Sequence, residues 1–386
     1  MRETIISEIN SRMDEIFGIA EELYRRPELS GEEVFAEKLI SSRLEENGFA
    51  VLHSICGIPT AFKASYQSKK PGPRIAFLCE YDALEGIGHG CGHNLISAMS
   101  FGAALGVKSV IDEVGGEIVV FGTPAEETSG AKVVMAKEGV FDDVLCAMML
   151  HPDGVSQASG ASLALDALRF RFHGRTAHAS AAPEKGINAL DSVILLFNAI
   201  GAMRQHVTDD VRIHGIISAG GLRPNIVPDF AEAKFNVRAN KRDNLNGVVE
   251  RIKKCAQAAA QMTGATVEID YYEYSNDDMN TNPVLGELMT KNFKEMGETG
   301  LLPASLMKGS MDMGNVSYRT AAAHGFIGLG NPELVLHTKE VADCTVSEKG
   351  WESARRGACI LALTAFDVLI DPGIQEKIRQ TAPKHR

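Results

Sequence analysis

Apolar positions open the chain at helical spacing: Ile5, Ile6, Ile9, Met13, Ile16, Phe17, Ala20 and Tyr24 share one face. They predict an amphipathic helix that stops at Pro27. A second helix is expected over about 32–46, ended by Gly48. After an extended region, Pro71-Gly72-Pro73 turns the chain into a short apolar strand over 74–79. A loop over 80–94 and a helix to about Val110 follow. Gly115-Gly116 then leads into a second buried strand, 117–121, and a helix over about 131–138 precedes a third apolar run, 144–150. Strands alternating with helices predict an α/β fold, a mostly parallel sheet flanked by helices, with functional residues at the strands' C-terminal ends.

From about Asp166 the pattern changes. Leu168-Arg169-Phe170-Arg171-Phe172-His173 alternates apolar with polar, as a half-exposed strand does. A helix (about 186–204), strands over 213–218 and 231–238, a helix (about 244–262) and a strand over 266–272 complete a β-α-β-β-α-β order. That is the ferredoxin-like α+β arrangement, expected as a lid inserted into the first domain. The predicted organisation is therefore 1–165 for the first part of the catalytic domain, 166–282 for the lid and 283–386 for its second part. That last part holds a helix to about Met296 and a long helix over about 347–369, with the tail after Pro372 expected to fray.

Composition narrows the function. The 386 residues are 45% hydrophobic and 23% charged, as in an ordinary globular protein. A net charge of −11 argues against a nucleic-acid partner. No run of 18 apolar residues suggests a membrane span, and seven scattered cysteines do not resemble a disulfide framework. The start of the chain carries acids at once and shows no apolar signal segment. A cytoplasmic, reducing location is the expectation.

The chemistry concentrates at strand ends. His89-Gly90-Cys91-Gly92-His93-Asn94 places a thiol and two imidazoles in a glycine-rich loop, residue types that ligate zinc-like ions. In isolation the same residues also suit a redox thiol beside a base, or an ordinary loop. The next two apolar strands, however, lead to Glu126-Glu127 and to His151. Three consecutive strands each ending in metal-ligand chemistry favour one shared site.

With these pieces in order, the chain resembles the aminoacylase and carboxypeptidase-like metallopeptidases, metallopeptidase family twenty, in its amidohydrolase branch. The resemblance rests on Glu80-Tyr81-Asp82-Ala83-Leu84, Gly90-Cys91-Gly92-His93-Asn94, Pro124-Ala125-Glu126-Glu127 and His151-Pro152. It continues through Phe172-His173-Gly174-Arg175-Thr176-Ala177-His178-Ala179, Pro224-Asn225-Ile226-Val227-Pro228 and Phe235-Asn236-Val237-Arg238. Gly309-Ser310-Met311-Asp312-Met313-Gly314-Asn315 and His337 complete it. Two positions depart from the usual pattern: Glu85 stands where many relatives have proline, and Asn94 where many have aspartate.

The resemblance implies two divalent ions, zinc or manganese, held by Cys91, His93, Glu127, His151 and His337, with the thiolate bridging. It implies Glu126 as general base toward a metal-activated water, and His178 as an oxyanion donor reaching a partner's site. Asn225 and Arg238 become substrate clamps, Arg238 by a charge-assisted bond to a carboxylate. Asp82 and His89 become supports behind the ligands, and Asp312 with Gly309-Ser310 is expected to shape the substrate pocket. The implied reaction is hydrolysis of an amide in a small substrate, an N-acyl amino acid or a dipeptide, by a homodimer paired through the lid. Two other classes compete: a thiol hydrolase with Cys91 as nucleophile, and a non-catalytic zinc-binding protein.

Overall fold

The computed structural model describes residues 1–307 and 309–383. The opening amphipathic stretch forms two helices, α1 (Arg2–Ser11) and α2 (Met13–Arg25), broken at Arg12, whose φ of −111° leaves the helical range. Apolar spacing runs through that break because both helices lay the same face on one core, so periodicity alone could not reveal it. Next come α3 (Val34–Glu46), β1 (Ala50–His53), β2 (Phe62–Gln67), β3 (Arg74–Cys79), α4 (His93–Val114), β4 (Glu117–Gly122), α5 (Ala131–Lys137) and β5 (Cys146–Asp153). The alternating region gives β6 (Ala164–His173), α6 (Ala189–Met203), β7 (Arg212–Ala219), β8 (Phe230–Ala239), α7 (Arg242–Thr263) and β9 (Thr266–Tyr271). The remainder is α8 (Pro283–Glu295), α9 (Met313–Val316), β10 (Ala321–Gly328), α10 (Lys339–Thr345), α11 (Glu348–Ile370) and α12 (Pro372–Thr381).

The described residues divide into two compact units, one of 1–161, 279–307 and 311–383, the other of 162–278 with 309–310. In the first, six strands run in the order β1-β2-β4-β3-β5-β10. The four strands β4, β3, β5 and β10 are parallel neighbours, and β2 and β1 extend the β4 side antiparallel. The α/β expectation holds, with additions. β10 has no counterpart among the expected strands, because Ala321-Ala322-Ala323-His324-Gly325 carries no alternation; it is buried throughout, and such strands have no polar face to signal them. The tail, expected to fray after Pro372, is helical over Pro372–Thr381, its last residues 384–386 lying outside the described ones: Asp371 accepts from Gly373 N and Ile374 N to cap α12, and Ile378 is fully buried. Helix α4 is long and apolar enough to cross a membrane, yet most of it lies inside the core. It packs closely on its neighbours because Gly102 and Gly106 carry no side chain where Ile16, Ala358 and Ile9 press in.

The second unit is a four-stranded antiparallel sheet, β7-β8-β6-β9, with α6 and α7 packed against it. Its element order is β-α-β-β-α-β. On β8 the residues alternate strictly, with Ala231, Ala233, Phe235 and Val237 facing the core and Asn236 and Arg238 half-exposed.

Candidate metal centre

β3 and β4 end level with each other, Cys79 opposite Gly122, and β5 carries His151 near its own end. The three loops and strand ends therefore converge at one edge of the sheet, where a parallel α/β fold places its ligands. Glycines let the strand-end loops touch. A Cβ on Gly90 would lie 2.9 Å from Thr338 O, beside His337, and one on Gly92 would lie 2.9 Å from Pro152 Cγ, beside His151. Gly90 O in turn accepts from His337 N at 2.9 Å. His337 is held at φ +67°, a left-handed conformation that a residue with a side chain adopts only under constraint.

Three donor groups result, each with its ligand atoms within 4.8 Å of one another: Cys91, His93 and His151; Cys91, Glu127 and His337; and His93, Glu126 and Glu127. Cys91 belongs to the first two. Its Sγ lies 3.4 Å from His151 Nε2, and His337 Nε2 lies 3.5 Å from Glu127 Oε1. The imidazoles are oriented for ligation. His93 Nδ1 donates to Asp82 Oδ1 at 2.8 Å and His151 Nδ1 donates to Pro152 O at 2.6 Å, which leaves both Nε2 lone pairs facing the cluster. His93 Nε2 and Glu127 Oε1 are buried without a hydrogen-bond partner. Buried polar atoms are seldom left so, and a divalent cation is what this set of thiol, imidazoles and carboxylate suits. The residues present fit a metal.

Asp82 does more than cap a turn. Besides His93, its carboxylate accepts from Ser30 Oγ at 2.7 Å and from Glu127 N at 3.0 Å, so one side chain fixes two neighbours of the cluster. Against the penalty of burial, His93 and these donors hold Asp82 well below the ordinary carboxylate range. His89 is buried and belongs to none of the three groups; burial, then His93, push it down to about 3. Asn94 points elsewhere, its Nδ2 donating to Ala20 O and Thr345 Oγ1. Glu126 Oε2 lies 3.9 Å from His93 Nε2, and burial, then Glu80 and Asp312, raise it well above its ordinary value.

Three charged or titratable residues beside the cluster play parts that their sequence context does not signal. Lys132, fully buried on α5, places Nζ 2.7 Å from Glu80 Oε1 and 2.6 Å from Asp312 Oδ1. Despite burial, Asp312 and Glu80 raise the ammonium above its ordinary value, so it stays charged. The other oxygen of Glu80 lies 3.4 Å from His93 Nε2. Asp312, expected in a pocket wall, is instead 1% exposed and committed to Lys132 through both Nζ and backbone N. The third, His324 on β10, packs with its ring 5.9 Å from His151 and is held down to about 3 by burial.

The remaining expected site residues belong to the second unit. His178 Nδ1 accepts from Ala181 N at 3.2 Å, so the proton sits on Nε2 and that nitrogen is a donor. Its strand bridge to Ile226, and the bond from Ala179 N to Asn225 O, bring Asn225 beside it, although the Asn225 side chain itself is exposed. Arg238 is half-buried and donates to Ser310 Oγ at 2.7 Å; burial pushes its guanidinium below the ordinary value, against the opposing pull of Glu273.

Residues 164–262 match the family model of the peptidase dimerisation domain. The chain is 32% identical over 387 residues to a mouse (Mus musculus) Xaa-Arg dipeptidase, covering 96% of this chain and 90% of that protein. It belongs to the M20 peptidase family. A p-aminobenzoyl-glutamate hydrolase polypeptide of Escherichia coli is 36% identical over 271 residues, 65% of this chain and 56% of that one. Among solved structures, an aminohydrolase of methicillin-resistant Staphylococcus aureus shares the fold at a TM-score of 0.79 and 20% identity, covering 96% and 100% of the two chains. A dinuclear metal-binding M20 peptidase of Bacillus subtilis does so at 0.66 and 18%, covering 93% and 99%. As an M20 member the chain is a hydrolase, of the metallopeptidase and amidohydrolase kind that acts on amides of small substrates.

Proposed function

We propose that the chain uses two divalent ions per subunit to hydrolyse an amide whose leaving side is an amino acid with a free carboxylate, in a dipeptide or an N-acyl amino acid. One observation carries this reading: Cys91 is shared by two donor triads, one completed by His93 and His151 and the other by Glu127 and His337. When bound, such ions polarise the scissile carbonyl and make water a stronger nucleophile at neutral pH. A shared thiolate offsets the repulsion between two cations and favours zinc over manganese.

The protein's own groups divide the remaining work. Glu126, beside the ligands yet in neither triad that contains Cys91, takes a proton from the attacking water and delivers it to the departing amine. The Nε2–H of His178 serves as donor to the developing oxyanion. Arg238, with Asn225, clamps the substrate carboxylate, and the names of the dipeptidase and glutamate-conjugate relatives both describe products bearing one. A thiol mechanism leaves the Glu127 and His337 triad without a purpose, and a purely structural site would not set Glu126 beside its ligands. Pairing through the second unit is supported by the dimerisation-domain match and by the edge strand β7, where Ile216 and Ile217 are 63% and 46% exposed.

A panel of dipeptides and N-acyl amino acids, assayed before and after dialysis against a strong chelator, tests the reading. Hydrolysis of members with a free carboxylate, lost on chelation and restored by zinc or manganese, is the expected result; chelator-insensitive hydrolysis would exclude it. Sedimentation of the same preparation should give twice the chain mass, and a monomer would remove the pairing.

A further inference from the structure

The loop that carries Glu126 and Glu127 begins at a conformational oddity. Ala125 sits at φ +58°, the left-handed region that an alanine avoids in the absence of constraint. It is almost fully buried, and both of its peptide groups are tied. Its carbonyl accepts from Gly130 N at 2.6 Å, which closes the loop. Its N–H donates at 2.8 Å to Glu33 Oε1, a carboxylate 92 residues earlier in the chain and fully buried at the start of α3. The second oxygen of Glu33 accepts from Thr60 Oγ1 at 3.0 Å, and Thr60 O accepts in turn from Tyr81 Oη. A carboxylate is seldom buried without a reason, and here its two oxygens are spent on a loop backbone and on the hydroxyl that anchors it.

We propose that Glu33 is a positioning residue, a buried strut that holds Ala125 in its left-handed turn and so aims Glu126 and Glu127. The two acids are thereby bracketed. Glu33 pins the peptide N–H before them, and Asp82 pins the N–H of Glu127. Neither anchor touches substrate. Their effect is to fix where two adjacent side chains place their carboxylates, both 3.9 Å from His93 Nε2, so that Glu127 completes the group with Cys91 and His337 while Glu126 serves the reacting water. The proposal rests on the assignment of Glu126 and Glu127 to the chemistry.

Four variants and three readouts test it: kcat and KM of the zinc enzyme, zinc affinity by titration of the metal-free protein, and Tm. Glu33→Ala is expected to lower kcat on the order of 10² fold with KM little changed, as sub-ångström misplacement of a reacting group does. It should also weaken zinc binding by about 10-fold, the usual effect of losing a residue that orients a ligand. Glu33→Gln keeps an oxygen for Ala125 N and an NH₂ for Thr60 Oγ1, and should retain wild-type kcat and zinc affinity. The double variant Glu33→Ala/Ala125→Gly should recover part of both losses, because glycine adopts a left-handed φ without help, whereas Ala125→Gly alone should change little.

Equal losses in Glu33→Ala and Glu33→Gln would overturn the strut in favour of a role for charge, and additive rather than compensating losses in the double variant would overturn it as well. If Glu33→Ala does not fold, Glu33→Gln decides, and a loss there counts against the proposal. Failure is separable from that of the underlying assignment. Normal zinc affinity and kcat in Glu33→Ala remove the strut alone, whereas undiminished hydrolysis by Glu126→Gln would remove the assignment itself.

Discussion

Glu126→Gln should fold normally, bind its metal complement with unchanged stoichiometry, and hydrolyse substrate about 10²–10⁴-fold more slowly, the range that a lost general base produces. The reasoning is geometric. Glu126 and Glu127 are sequence neighbours whose carboxylates both lie 3.9 Å from His93 Nε2, but only Glu127 also joins Cys91 and His337 in a donor group. Glutamine preserves size and one oxygen but cannot accept a proton, so the loss should fall on kcat with KM nearly unchanged. Metal analysis beside steady-state kinetics checks this. A variant that loses metal together with activity would make Glu126 a ligand, and one that keeps activity would remove it from the mechanism.

Lys132→Met should be the most damaging change in the first unit that touches no expected ligand. Among the described residues its ammonium is the one lysine or arginine group paired with Glu80 and Asp312, and all three side chains are at most 3% exposed. Methionine fits the space but leaves two buried carboxylates uncompensated. Breaking a buried pair in this way costs about 3–5 kcal/mol, or a fall in Tm of roughly 10 °C for a unit of this size. Adding Glu80→Gln and Asp312→Asn removes the stranded charges and should restore most of the lost stability, a non-additivity that differential scanning calorimetry would resolve. An unchanged Tm in Lys132→Met would mean that the three groups do not form an ion-paired cluster.

The sequence exposes the site further than it exposes the supports of the site. Ligand chemistry sits where apolar strands stop, at Cys91 and His93, at Glu126-Glu127 and at His151, so the α/β reading and the convergence of these residues follow from one pattern. His337 has no such signal. It lies on a loop, is about half exposed, and reaches the cluster through a left-handed turn against Gly90, so it enters only through family resemblance. Lys132 reads as an ordinary helix lysine after Gly130-Ala131, and its burial depends on acids 52 and 180 residues away. Glu33 reads as one acid among several before a helix, and only the tertiary fold brings Ala125 to it. Helix α12 escapes the apolar pattern because charged residues outweigh its single buried anchor, Ile378. What stays opaque is long-range pairing of polar groups, which leaves no periodic trace.

The central claim is a two-ion centre in which Cys91 is shared. Its most direct test is titration of the metal-free protein with cobalt(II), followed by the thiolate-to-cobalt charge-transfer absorption, in wild type and in Cys91→Ser. The account predicts two equivalents bound per chain with a thiolate band that grows across both, and in Cys91→Ser no such band and weaker binding at both positions. Saturation at one equivalent, or a thiolate band that survives in Cys91→Ser, would contradict it.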